Sequence, residues 1–148
     1  MTQKLIDRLS KEQIEAILDA LPIEFIFVDA EDRLQYYNKG EKRTMKPPVE
    51  TLGKDIRTCH RPESVGPTEV MLNAFKNGEK DEDAFWVDGL GIKLLNRFLA
   101  FRDKKGTYLG CVEYLLDFSA LERLAEENKD AHRFHADQQR PTKLEEIH

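Results

Sequence analysis

Residues 94–101 (LLNRFLAF) and 108–116 (YLGCVEYLL) are two extended apolar stretches of this sequence, and they decide the fold class. Both are mainly aliphatic and aromatic, and both have the length of a β-strand. Lys104, Lys105 and Gly106 between them predict a tight turn, so the two strands are expected to pair antiparallel. A shorter aromatic run at 84–87 precedes them, and three antiparallel strands are the simplest arrangement for this half of the chain.

The first half of the chain begins its own small sheet. Residues 23–28 (IEFIFV) and 34–37 (LQYY) predict two strands of a hairpin, and the acidic segment 29–32 predicts the turn between them. Early and late strands without regularly alternating helices exclude a doubly wound parallel sheet. The sequence therefore predicts an α+β fold.

Short helices are predicted between the two groups of strands. Residues 38–45 have a polar helical sequence, which Pro47 and Pro48 end because proline lacks the amide hydrogen. After Pro67, apolar residues recur at helical spacing as far as Gly78, which predicts a longer helix with a glycine stop.

A helix is also predicted at each end of the chain. Ser10 and Gln13 form a capping-box pattern at the start of an amphipathic helix within residues 1–21, whose apolar face must pack on the sheet or on a second subunit. Residues 118–139 carry a heptad-like pattern that becomes polar along its length. Residues 140–148 have no periodicity and are expected to form a flexible tail.

Composition excludes several classes of protein. A net charge of -5 over 148 residues, without a clustered basic face, disfavours nucleic-acid binding. The N-terminus lacks a signal-peptide core, and no apolar run approaches the roughly 20 residues that span a bilayer. A cytoplasmic protein without membrane contact is expected, and its two cysteines, Cys59 and Cys111, are expected to be free thiols.

The connector 58–64 (TCHRPES) concentrates the chemistry of the chain. Cys59 and His60 are adjacent there, but no third group is evident to orient the imidazole as a base, so an enzyme is not expected. Cys59 is a candidate redox-sensitive thiol, and Ser64 a candidate cap of the following helix. His60 has two interpretations: a ligand contact, or a hydrogen bond to a loop carbonyl that fixes the turn. Cys111, inside an apolar strand, is expected to be inert.

Six local segments occur in a distinctive order along the chain: 23–29 (IEFIFVD), 33–39 (RLQYYNK), 52–55 (LGKD), 75–78 (FKNG), 96–102 (NRFLAFR) and 106–119 (GTYLGCVEYLLDFS). Their sequences and order resemble a PAS domain, over roughly residues 11–125. The resemblance implies a five-stranded antiparallel sheet in the order 2-1-5-4-3, short helices on one face, and a ligand pocket between them, here in residues 22–117. It also implies a sensory or dimerising module without catalysis of its own.

The connector is similar to a Cys-His-Pro-Pro-like segment of one PAS subgroup, found beside hemerythrin-like or uncharacterised bacterial domains. In this chain Arg61 replaces the first proline of that pattern. The pocket wall is expected to include Tyr37, Trp86 and Asn96 in addition to Cys59 and His60.

Haem is the leading cofactor candidate. The resemblance implies that a histidine on the helical side binds the iron, and His60 is the only histidine inside the predicted domain. Covalent flavin chemistry is not expected, because the asparagine before and the aromatic residue after the cysteine of flavin-binding PAS domains are absent around Cys59. A zinc site built from Cys59, His60, His132 and His135 is disfavoured, because the two later histidines already fit the heptad pattern of the terminal helix.

The leading functional hypothesis is a PAS sensory module that binds a small ligand or cofactor. Such a module would signal through its flanking helices, as a homodimer or to a partner protein, since no output domain is evident in the sequence. The alternative is a ligand-free PAS module for dimerisation or protein docking.

Overall fold

The computed structural model describes residues 4–43, 47 and 49–134. Its centre is a five-stranded antiparallel sheet with the strand order β2-β1-β5-β4-β3, as predicted. The α+β class and the PAS-like topology are confirmed. The strands are β1 (Glu24–Asp29), β2 (Leu34–Tyr37), β3 (Glu82–Gly89), β4 (Ile92–Arg102) and β5 (Tyr108–Asp117).

The described residues also form three α-helices and four short 3₁₀ helices. None of the helices in the described part of the chain has the length and hydropathy needed to cross a membrane. The α-helices are α1 (Lys11–Ala20), α2 (Pro62–Lys76) and α3 (Phe118–Glu127), and the 3₁₀ helices are Leu5–Arg8, Gly40–Lys42, Val49–Thr51 and Ile56–Cys59.

Helix α2 begins earlier than the sequence predicts. Pro62 occupies its first position, where a missing amide hydrogen breaks no helical bond, so the helix starts there and continues through Pro67. Arg61 is the N-cap residue and makes no side-chain cap bond. The prediction that Ser64 caps this helix was therefore wrong: Ser64 lies in its first turn, and its carbonyl accepts a 2.8 Å hydrogen bond from Thr68 Oγ1.

The N-terminal helix starts at the predicted cap, whereas the C-terminal helix is shorter than expected. The capping box of α1 is present, with Gln13 N donating to Ser10 Oγ at 3.1 Å and Ser10 N donating to Gln13 Oε1 at 2.9 Å. Helix α3 ends at Glu127, whereas the sequence predicts helix to residue 139, and residues 128–134 are turn and irregular chain. The end of that predicted helix and the predicted tail at 140–148 lie outside the described residues.

The chain divides into two compact units, Met1–Phe118 and Ser119–His148. Within the described part of the second unit, Asn128 Nδ2 donates to the Leu124 carbonyl at 2.9 Å, and Lys129 pairs with Glu126 at 2.8 Å. The Leu124 carbonyl also accepts the backbone amide of Asn128 at 3.2 Å, so the side chain adds a second donor to a carbonyl in the last turn of the helix.

The core of the first unit lies between one face of the sheet and α2. We call this the inner face of the sheet. Alternation along the strands sends every second side chain to it, and α2 contributes its own buried face. The buried cluster consists of Val28, Leu34, Ile56, Met71, Leu72, Phe75, Phe98 and Cys111.

The helical layer is fixed to the β1–β2 turn by a buried carboxylate. Asp32 is almost fully buried, and its Oδ2 accepts hydrogen bonds from Arg57 at 3.1 Å and from Lys76 at 2.6 Å. Arg57 also holds Asp55 at 3.1 Å. A shielded carboxylate with two cationic partners ties the connector and α2 to the sheet more firmly than exposed ion pairs would.

Candidate ligand cavity

A cavity of about 490 Å³ lies between the inner face of the sheet and the connector. We call it the main cavity. Its volume falls within the range of small-molecule sites, and most of its wall is aliphatic or aromatic. Its lining residues are Glu24, Ile26, Leu34, Arg43, Pro47, Ile56, Cys59, His60, Phe85, Val87, Leu94, Asn96, Glu113 and Leu115.

A second cavity of about 390 Å³, the side cavity, adjoins α2. It shares His60, Phe85, Asn96 and Glu113 with the main cavity. The shared residues include three polar side chains, so the two cavities meet at a polar part of their walls.

Strand alternation explains why these residues meet. Asn96 on β4 lies opposite Phe85 of β3 and Leu115 of β5, and Glu113 lies opposite Phe98 of β4. Directly opposed residues of antiparallel strands project to the same face. The inner positions of three neighbouring strands therefore bring an amide, a carboxylate and a phenyl ring together.

Asn96 has a buried oxygen without a partner. The residue is 7% exposed, and its Nδ2 donates to Glu113 Oε1 at 3.2 Å. Its Oδ1 has no hydrogen-bond partner within the described chain. Because a buried amide oxygen without a donor is costly, the side chain is positioned to accept one more hydrogen bond.

Glu113 is a carboxylate on an otherwise apolar part of the wall. Burial raises the pKa of Glu113, while the Asn96 hydrogen bond and electrostatic interactions with His60 and Arg43 oppose that rise. The net direction is upward, so removal from water outweighs the favourable partners. The ionised form of Glu113 is thus under-compensated in this cavity.

His60 follows the 3₁₀ helix Ile56–Cys59, and its Nδ1 lies 2.8 Å from the Ile56 carbonyl oxygen. A carbonyl only accepts, so Nδ1 carries the hydrogen of this bond, and Nε2 of the neutral ring has a free lone pair. The hydrogen bond from His60 to a carbonyl of the connector region, one of its two interpretations from the sequence, is therefore present. It leaves the other ring nitrogen available to a ligand.

Arg43 connects the main cavity to α1 through Asn38. Arg43 Nη1 donates to the Phe25 carbonyl at 3.0 Å and to Asn38 Oδ1 at 3.1 Å. The fully buried Asn38 in turn donates from Nδ2 to the Leu18 carbonyl at the end of α1, and to the Ile23 carbonyl, each at 2.9 Å. Desolvation lowers the pKa of Arg43, although the carboxylates of Glu24 and Glu113 oppose this effect.

Of the five residues predicted to line the pocket, three line the main cavity and two do not. Cys59, His60 and Asn96 line the main cavity together. Tyr37 projects to the same face as its partner Ile26 but is not among the lining residues; its ring packs 5.5 Å from the Arg43 guanidinium carbon. Trp86 projects to the opposite face of the sheet, where its ring lies 5.4 Å from that of Phe118.

Sequence reasoning missed Glu113, Arg43 and Phe85. Glu113 had a recognisable signal, because it is a charged residue inside the apolar stretch 108–116, two positions from the buried Cys111. Phe85 could not be separated from Trp86, since alternation alone does not say which of two adjacent aromatic residues projects inward. Arg43 is held by backbone carbonyls that are distant in sequence, and no local pattern indicates such contacts.

The remaining cysteine and histidines lie outside this arrangement. Cys111 is buried, and burial raises its pKa to about 12, which agrees with an inert thiol. His132 packs edge-on against Phe134 at 4.7 Å, while His135 and His148 lie outside the described residues. Among the described residues, no group of three or more His, Cys, Asp and Glu side chains is placed to hold a metal ion.

Comparison with known protein families assigns the chain to a family. A profile described as "PAS domain" matches residues 14–119. The chain belongs to the PAS domain family. A search of curated protein sequences gives no significant match.

Solved structures agree with this assignment. The crystal structure of a C-terminal domain from Streptococcus mutans is similar at 30% identity with a TM-score of 0.70, covering 78% of this chain and 90% of that one. The PAS domain of BvgS from Bordetella pertussis is similar at 18% identity, TM-score 0.55, covering 82% and 97%. A PAS domain from Colwellia psychrerythraea is similar at 15% identity, TM-score 0.53, covering 72% and 94%. At the lower identities the likeness shows the shared fold.

Proposed function

We propose that this PAS domain is a sensory module that binds a small ligand in the main cavity and transmits occupancy to its flanking helices. The observation that carries this proposal is the unpartnered Oδ1 of the buried Asn96 beside Glu113 in an apolar cavity. Asp32 Oδ1 and Tyr108 Oη are also buried without a partner among the described residues, but neither residue lines the main cavity, whereas Asn96 lies where a ligand could supply the missing donor.

The contacts around Arg43 supply a route for the output. A ligand that touches Arg43 acts on a guanidinium that is hydrogen-bonded to Asn38, and Asn38 is hydrogen-bonded to the last turns of α1. A ligand shifts such an arrangement only through its differential affinity for two states. At the end of the sheet where Glu24 of β1 pairs with Leu115, β5 continues directly into α3. The receiver in this proposal is a second copy of the chain or a partner protein, and the site of action is the cytoplasm.

The main cavity has one feature that favours the predicted binding of haem through His60 and one that opposes it. The Nδ1 bond to Ile56 leaves Nε2 as the nitrogen that would bind the iron, and bound haem would supply gas or redox sensing. The Glu113 carboxylate shares the same cavity, and it places negative charge where a porphyrin offers an apolar face and carboxylates of its own. A haem-binding version of the proposal therefore rests on His60 alone.

Absorption spectroscopy tests the haem version directly. Purified full chain is mixed with haemin, and a Soret band shifted from that of free haemin is measured for the wild type, for His60→Ala and for the control His132→Ala. Haem ligation predicts a shifted band that His60→Ala abolishes and His132→Ala retains. A spectrum equal to free haemin, with no added mass in native mass spectrometry, would exclude haem.

The alternative function is a ligand-free dimerisation or docking module, and one observation favours it. Part of the apolar stripe of α1 is exposed, notably Ile17 at 48%. Sedimentation velocity of the full chain tests this alternative with Ile17→Lys and with Glu12→Gln as a control of equal charge change. Dimerisation through α1 predicts that only Ile17→Lys yields monomers, and two unchanged dimers would refute it.

A further inference from the structure

We infer that the main cavity selects a small organic cation, with an ammonium or amidinium head at Asn96 and Glu113 and an apolar body toward Phe85 and Leu94. This inference rests on the proposed function, because it names the class of ligand that the same cavity takes.

The polar groups of the wall are mainly acceptors. Asn96 donates from Nδ2 to Glu113, and its acceptor oxygen Oδ1 has no partner within the described residues. His60 has committed its Nδ1 to the Ile56 carbonyl, which leaves the lone pair of Nε2 in the neutral ring. A ligand head that donates several hydrogen bonds can satisfy these atoms together, whereas a carboxylate or phosphate can donate none.

The charges of the cavity wall also favour a cationic ligand over an anionic one. Glu113 is partly buried in the cavity wall, and it accepts a hydrogen bond from the neutral amide of Asn96. Arg43 also lines this wall, and its guanidinium Nη1 already donates to the Phe25 carbonyl and to Asn38 Oδ1. A cationic head would compensate the Glu113 charge, while an anionic head would add a second uncompensated charge to a low-dielectric space.

The remainder of the wall fits an apolar body. Ring and aliphatic side chains from the strands and the connector surround the space around Asn96 and Glu113, in a cavity of about 490 Å³. Burial of a phenyl or short alkyl group there contributes affinity that does not depend on the head. The apolar residues that would contact it are Ile26, Leu34, Phe85, Val87, Leu94 and Leu115.

The test varies the head and keeps the body constant. Isothermal titration of the full chain uses 2-phenylethylammonium, 2-phenylethanol and 3-phenylpropionate, which are cationic, neutral and anionic. Because a hydrogen bond to a charged group is stronger than a neutral one, we expect the ammonium probe to bind at least about tenfold more tightly than the alcohol. The carboxylate should bind most weakly.

Three variants assign the preference to the cavity. Glu113→Gln should reduce the ratio of ammonium to alcohol affinity to within about threefold, because it removes the charge and keeps the shape. Asn96→Leu should lower ammonium affinity without a comparable loss for the alcohol, and it provides an independent reading if Glu113→Gln does not fold. Glu122→Gln, on the exposed surface of α3, should leave all affinities unchanged.

The outcomes separate the inference from the proposed function. Binding of the alcohol or the carboxylate as tightly as the ammonium would overturn the inference and keep a ligand-binding cavity. Tight ammonium binding that Glu113→Gln and Asn96→Leu leave unchanged would also overturn it, because the cation would then bind elsewhere. A failure of all three probes to bind in the millimolar range would contradict the inference and the ligand-binding function together.

Discussion

The two faces of the sheet use adjacent residues of the same strands for different purposes. On the inner face, Asn96 leaves an oxygen without a partner beside Glu113. One position further along β4, Arg97 projects to the outer face, donates to Tyr114 Oη at 2.7 Å and pairs with Glu82 at 3.0 Å. The outer groups Arg97, Tyr114 and Glu82 bond to one another, whereas Asn96 Oδ1 has no partner in the described part of the chain. Under the proposed function, this unsatisfied oxygen distinguishes the inner face as the ligand side.

Aromatic residues show the same difference. Phe98 faces inward and is 8% exposed, while Phe101 on the same strand is 43% exposed and stacks on Phe27 at 6.4 Å. Inner rings belong to the core against α2, and outer rings cover the sheet only partly. The stability of the unit should therefore depend on the inner face much more than on the outer face.

The largest expected effect compares these two phenylalanines. Phe98→Ala opens a cavity in the core and should lower the free energy of unfolding by about 3–5 kcal/mol. Phe101→Ala removes a half-exposed ring and should lower it by about 1 kcal/mol or less. Urea unfolding followed by circular dichroism measures both, and equal losses would show that the two faces are not energetically distinct.

An intermediate effect is expected from the inner carboxylate, and it depends on pH. Because burial raises the pKa of Glu113 in the folded chain, the folded state holds its proton more tightly than the unfolded state does. The free energy of unfolding should then fall as pH rises above the ordinary carboxyl value of 4.5. Glu113→Gln removes this dependence, so the variant should be more stable than the wild type at neutral pH and equal to it near pH 4.

The control for this prediction is Glu82→Gln on the outer face, where the carboxylate is exposed and paired with Arg97. Its effect on thermal unfolding should be small at both pH values. A Glu113→Gln variant that is less stable than the wild type at neutral pH would mean that the carboxylate is fully compensated in the folded chain.

The smallest effect is expected from the outer polar contacts. Arg97→Met removes the bonds to Tyr114 and Glu82, and it should cost no more than about 1 kcal/mol because the Glu82 side chain is 69% exposed. Guanidinium chloride melts of Arg97→Met and of the wild type give the difference. A loss of several kcal/mol would place a stabilising polar network on the outer face as well.

Much of the fold was predictable because strand runs, turns and helix stops are local. The runs at 94–101 and 108–116 and the hairpin before them yield the correct sheet, and the Ser10 capping box is present as predicted. The start of α2 was not predicted, because Pro67 was interpreted as a boundary although Pro62 already begins the helix. The end of α3 at Glu127 could not be read from a heptad pattern that becomes polar gradually.

The site was predictable only in part. Cys59, His60 and Asn96 were identified from the connector and the later strands, and all three line the main cavity. The face on which Trp86 lies follows from the register of β3 against β4, which pairs it with Leu95 and pairs Phe85 with Asn96. Register is set by packing across the whole sheet, so one strand read alone does not reveal it.

The most direct test of the account measures whether the main cavity and α1 are coupled. Hydrogen–deuterium exchange of α1 (Lys11–Ala20) is followed by mass spectrometry in the full chain, with and without saturating 2-phenylethylammonium. The contacts from Arg43 through Asn38 to Leu18 predict altered exchange in α1 for the wild type and a loss of that response in Arg43→Met. Exchange that changes at β4 and β5 but stays the same in α1 would contradict the central claim.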